Sequence, residues 1–182
     1  MLASLAIIAI AALIALWAVS VRRRLTILDE NVGSAMNQLE LQLSCRFDAL
    51  MSLLELTKKV SPYESEALIK SVSFRRSAVP AKAEPKDLLR QEDVISETLD
   101  GIEMVAEQHP ELRNKAEYIK AMDALEVFEG MARTSLLIYN DSVARLNREI
   151  RSFPVSLIAE MLGFREKEYL VLATRAETKA GS

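Results

Sequence analysis

Beyond residue 24 the chain is patterned in steps of three and four. Leu25, Leu28, Val32, Ala35, Leu39, Leu43, Leu50, Leu53, Leu54 and Val60 recur in that rhythm, with Thr57 in the same register. No proline interrupts Arg24 to Ser61. Such spacing predicts one amphipathic helix of about ten turns at 3.6 residues per turn. Ser61-Pro62-Tyr63-Glu64 reads as a stop and a restart. Ser61 is placed to accept from the next helix's first N–H groups, Pro62 fits the first helical position, and Glu64 completes a capping box. A second helix is expected to about Ser77, with Leu68, Ile69 and Val72 inward. AVPAKAEP at 78–85 is the clearest loop, because two prolines and small residues break the rhythm. A third helix starts near Pro85 with a stripe of Leu88, Ile95, Leu99, Ile102 and Val105 or Ala106, and Pro110 ends it. Glu111 to Asn114 form a turn. A fourth helix from about Lys115 to Ser152 carries the most regular seam: Met122, Leu125, Ala132, Leu136, Tyr139, Val143, Leu146, Ile150 and Phe153. Four heptads of alternating three and four predict coiled-coil-like packing. No stretch alternates with period two for long enough to predict a strand.

Residues 1–21 follow a different rule. MLASLAIIAIAALIALWAVSV contains no charged side chain. About 20 apolar helical residues cross the ~30 Å hydrocarbon layer. Trp17 suits the headgroup level near the end of the run, and Arg22, Arg23 and Arg24 come directly after it. A cleaved signal peptide wants its positive charge before the apolar run; here the charge comes after it. The run is therefore expected to stay as an anchor. The positive-inside rule puts the arginines in the cytoplasm and the N-terminus outside. Short loops between long helices make neighbours antiparallel. The expected fold is all-α: an N-terminal transmembrane helix, then a long antiparallel up-and-down bundle of three long helices and one short one. The boundaries are 1–21 for the anchor, 22–153 for the bundle, 154–166 for a short apolar C-terminal helix and 167–182 for a polar tail.

Composition narrows the function. Half of the 182 residues are hydrophobic, with only five glycines and five prolines. That supports a buried core built on long helices. A net charge of −3 gives no bulk basic character for nucleic acid. The single Cys45 cannot close an internal disulfide. The phosphate-binding glycine motifs and HExxH are absent from the sequence. A di-iron bundle needs Glu-x-x-His pairs, but Ala106 stands three residues before the only histidine, His109. His109 is expected as a helix-terminal cation, and Cys45 as an inert helical thiol despite the neighbouring Arg46. An enzyme, a metal and a cofactor are not expected.

Some polar residues break the apolar stripes. Arg46 interrupts the first helix and Glu129 the fourth, where large apolar residues are due. An Arg46–Glu129 pair would fix the register of the bundle rather than add stability. Asn140 and Asn147 stand seven apart on one helix face. They either specify register or partner number inside a seam, or simply face water. Phe153-Pro154 stops the helix. Ser156 to Leu162 then reads as a short helix, apolar almost all round, with Gly163 as its C-cap. This 155–164 patch must fold back on the bundle, lie in the membrane interface or meet another subunit.

These residues resemble the LemA family, bacterial membrane-anchored helical proteins. The family's C-terminal signature is approximately YNxxVxxYNxxIxxFPxxxIAxxxGF. Tyr139-Asn140, Val143, Asn147, Ile150, Phe153-Pro154, Ile158-Ala159 and Gly163-Phe164 stand in register with it. Leu41-Gln42-Leu43, Arg46, Asp48 and Leu50 match a QLxxRxDLI-like segment, and His109-Pro110-Glu111-Leu112 a YPDL-like turn. The chain departs from the pattern at Leu146, in place of the second tyrosine, and at Phe47, where a histidine is common. The resemblance implies a long antiparallel helical bundle on an N-terminal span, and it supports a scaffold only by analogy. The residues expected to carry packing or interaction are Arg46, Glu129, Tyr139, Asn140, Asn147, Phe153, Pro154, Ile158, Gly163 and Phe164. The expected role is a non-enzymatic, single-pass scaffold in a bacterial inner membrane, with a second copy or an unidentified protein as partner and no nucleic acid. The competing expectation is a sensor or adaptor that binds a small ligand or signalling partner in a groove of the bundle.

Overall fold

The computed structural model describes residues 2–77 and 85–171. They form five α-helices in order: α1 Leu2–Lys58, α2 Pro62–Ser77, α3 Pro85–Gln108, α4 Pro110–Arg113 and α5 Ala116–Arg151. A 3₁₀ turn comes next, at Val155–Leu157. Among the described residues there is no strand. The chain is all-α, and its N-terminal helix is long and apolar enough to cross a membrane. The loop expected at 78–85 lies, except for Pro85, outside the described residues.

Packing divides the chain into two units. The first combines Met1–Met36 with Ile138–Tyr169; the second combines Asn37–Leu137 with Leu170–Ser182. This differs from the linear boundaries at 21, 153 and 166. The first half of α1 is grouped with the second half of α5, so segments distant in sequence share a unit.

In the first unit Leu25, Val32 and Ala35 of α1 are buried, as are Tyr139, Val143, Leu146 and Asn147 of α5. In the second unit Leu39, Leu43, Leu50, Leu53 and Leu54 of α1, and Leu88, Ile95 and Ile102 of α3, are almost fully buried. Each fully buried Leu or Ile contributes about 1.5–3 kcal/mol by transfer from water. An exposed i,i+4 pair such as Arg145–Asp141 contributes about 0.3–0.5 kcal/mol. The apolar stripes therefore hold the helices, and the surface pairs only trim them.

Two local details set the position of α2. Ser61 Oγ donates to the Glu64 carboxylate at 2.8 Å, so the two side chains of the expected capping box bond each other. Ser65 Oγ then donates to Thr57 Oγ1, which donates to the Leu54 carbonyl. This buried chain ties the start of α2 to the end of α1. Gly101 allows the close approach of α2 and α3: a Cβ there would lie 3.1 Å from Leu68 Cδ2.

The C-terminal segment corrects the sequence reading. Residues 154–166 are not an α-helix; only Val155–Leu157 is helical, and it is 3₁₀. Amides of the segment reach back three residues at Leu157 and Ile158 but four at Ala159, so no regular α ladder propagates. Gly163 closes the turn at φ 87°. Phe164 N–H reaches the Ala159 carbonyl and Gly163 N–H the Glu160 carbonyl, the paired bonds of a Schellman closure. The seam of α5 also stops short of Phe153, which is 81% exposed, because the helix ends at Arg151 and Pro154 redirects the chain. At the start of the expected polar tail, Leu170 is buried, and the backbone at Lys167 and Glu168 is tied to α5. Residues 172–182 lie outside the described residues.

Candidate functional site

Two polar constellations break otherwise apolar surfaces, one in each unit. The first is built around Arg46. It occupies the buried stripe of α1 between Leu43 and Leu50, and its side chain is 3% exposed. A guanidinium in that position needs partners, since an unpaired buried charge is costly. Glu92 of α3 takes its Nη1. Glu129 of α5 lies 3.7 Å from Nη2, an ion pair too long for a hydrogen bond. Glu129 also holds Arg133 one turn further along α5.

The expected Arg46–Glu129 pair is thus present, but it is the weaker arm of a triad. Glu92 is the partner that the apolar pattern does not announce. A signal for it exists: Glu92 lies four residues after Leu88 and three before Ile95, where an apolar side chain is due in α3. Arg46 Nε remains buried without a hydrogen-bond partner. Beside it lies an open cleft of about 540 Å³, lined by Arg46, Leu99, Met122, Glu126, Glu129 and Arg133 among others. Phe47, where the resemblance leads one to look for a histidine, is 1% exposed and belongs to the core.

The second constellation lies in the first unit and occupies the C-terminal signature. Asn147 is 3% exposed. Its Nδ2 donates to the Lys167 carbonyl at 2.8 Å, and its Oδ1 accepts from the Lys167 N–H at 2.9 Å. The amide thus pairs with one residue's backbone as another strand would. Tyr139, also buried, donates its hydroxyl to the Glu168 carbonyl at 3.1 Å. Burial, and then the Glu168 carboxylate, push the Tyr139 phenol above its usual value. Arg151 grips Glu166 with two nitrogens, Nε at 2.8 Å, and holds that carboxyl below the ordinary carboxylate range. Two links reach α1: Arg24 to Glu149 at 3.2 Å and Lys167 Nζ to Asp29 at 2.5 Å.

The structure brings Tyr139 and Asn147 together as a clasp on the returning chain. Asn147 does not face water; its amide serves backbone 20 residues on. Asn140 is half-buried and makes contacts of its own. Phe153 and Pro154 are exposed, Ile158 and Phe164 are half-buried, and Gly163 carries the left-handed closure. The 155–164 patch is split: Val155 and Ala159 are buried, while Leu157 and Met161 stand out. His109 occupies the N-cap position of α4 without a side-chain capping bond, its ring Nδ1 3.2 Å from Glu111. Among the described residues no group of three or more His, Cys, Asp or Glu is placed to hold a metal ion.

The family model of the LemA family matches residues 35–181, which include Arg46, Glu92, Glu129, Tyr139 and Asn147 but not Arg24 or Asp29. No curated protein matches the chain significantly.

Proposed function

Because the chain belongs to the LemA family, by a match over most of its length, we propose that it is a non-enzymatic, membrane-anchored interaction scaffold. It spans a bacterial inner membrane once, with its N-terminus outside and its helical bundle in the cytoplasm. One observation carries this reading. Leu5, Ile7, Ile8, Ile10, Leu13, Ile14 and Leu16 are each more than half exposed on a helix that continues without a break into the bundle. Water does not tolerate so large an apolar sleeve, whereas lipid does. Arg22, Arg23 and Arg24 then favour the cytoplasm for the rest of the chain. The motif residues Tyr139, Asn147 and Gly163 are spent on internal closure, which leaves exposed helix faces for contact. Val127 and Met131, one turn apart on α5, are 55% and 47% exposed.

A photo-reactive residue at Val127 or Met131 in intact membranes tests this. The scaffold predicts self-adducts at twice the chain's mass. Absence of protein adducts at both positions would contradict it. The cleft lined by Arg46, Glu126, Glu129 and Arg133 favours a second reading, an adaptor that takes a ligand or signalling partner there. That reading predicts a single foreign-protein adduct instead of a self-adduct.

A further inference from the structure

Three large apolar side chains project from the turn that comes after α5. Phe153 is 81% exposed, Leu157 67% and Met161 85%. Two links in the first unit give the level of this turn along α1. Asn147 holds the Lys167 backbone, and Lys167 Nζ reaches Asp29. Glu149 reaches Arg24. Moving along α5 from Asn147 to Glu149 therefore moves down α1 from Asp29 to Arg24, toward the apolar run. Phe153 and the turn come next, level with the last turn of that run. Burial along α1 agrees: residues 3–17 are all exposed, yet Ala18 is half-buried and Val21 buried.

We infer that Phe153, Leu157 and Met161 form a second membrane contact, seated in the headgroup region of the bilayer that α1 crosses. This rests on the reading of α1 as a membrane span. The backbone of the turn suits that place. Amides from Ser156 to Ala159 and from Leu162 to Phe164 are satisfied within the segment, so these N–H groups do not need water. The flanks suit it too. Arg22, Arg23, Arg148 and Arg165 are exposed, and cations beside an inserted apolar cluster are drawn to anionic headgroups. Of the acids nearby, Glu149 and Glu166 are paired with Arg24 and Arg151, and Glu160, exposed in the same turn, opposes the cations. The outward side chains thus extend an apolar surface that begins on α1, and bilayer rather than protein covers them.

The test uses the full chain in phosphatidylcholine–phosphatidylglycerol vesicles. Trp17 is the only tryptophan and reports insertion of α1. The only native cysteine is removed by Cys45→Ser. Met161→Cys then carries an environment-sensitive fluorophore, and Asn31→Cys, at an exposed position on α1, serves as the aqueous control. Trp17 is expected to be quenched by acyl-chain nitroxide lipid. The label at 161 is expected to shift to the blue and lose emission to headgroup nitroxide lipid, while the label at 31 does neither. A quenched Trp17 with an unquenched label at 161, whether that label is in water or covered by protein, overturns the second contact and leaves the span standing. An unquenched Trp17 overturns both.

Discussion

Asn147 shows how a signature residue can be conspicuous while its partner stays hidden. Its target is the backbone of Lys167, and a peptide group has no side-chain pattern to betray it. Asn147→Ala strands both the N–H and the carbonyl of Lys167. The expected cost is about 1–3 kcal/mol, read as a lower urea midpoint with faster amide exchange at Lys167. Tyr139 makes the same clasp sensitive to alkali. Its phenol is raised in the fold, so the fold favours the protonated form. The stabilisation is fully present below the unfolded phenol's pKa of about 10 and is lost as pH rises through the higher folded value. Tyr139→Phe should lose about 0.5–1.5 kcal/mol at neutral pH and should show a shallower decline above pH ~10 than the parent. Equal alkaline slopes in urea titrations would contradict that. Gly163 is readable from its place after an apolar run, and the structure gives the reason, a φ of 87°. Gly163→Ala should cost about 1–2 kcal/mol through strain alone, because a Cβ there meets nothing within 4 Å.

Among the elements, the stripes of α1, α3 and α5 are legible because a helix has one period and a bundle buries one face. The interruptions at Arg46 and Glu129 are legible for the same reason. Glu92 escapes a reading of the third helix that attends only to its apolar members. Removing Arg46 with Arg46→Met leaves Glu92 buried without its cation, at an expected cost of about 3–5 kcal/mol. Arg46→Met combined with Glu92→Met should recover most of that loss. Glu129→Gln should cost under about 1 kcal/mol, since Glu129 is the more exposed acid and sits at the longer distance. Urea unfolding of the three variants checks the order; a Glu129→Gln variant as unstable as Arg46→Met would make Glu129 the principal partner. The segment after Pro154 reads wrongly as a helix because hydrophobicity on every side carries no period. Its stop and cap are where the sequence puts them, but the hydrogen-bond pattern between them is not written in apolar spacing.

For the whole molecule, the central claim is that α1 serves both as membrane anchor and as the first helix of the bundle. The apolar run and the triple arginine are legible from charge alone, because lipid imposes a cruder rule than protein packing does. The division into two units is not legible, since it depends on which distant segments meet. The most direct measurement is the intact mass of the chain recovered from membranes after an alkaline carbonate wash. A chain anchored by α1 stays in the washed membrane and still carries residues 1–21. A chain released by the wash, or one retained but shortened by that run, would contradict the claim.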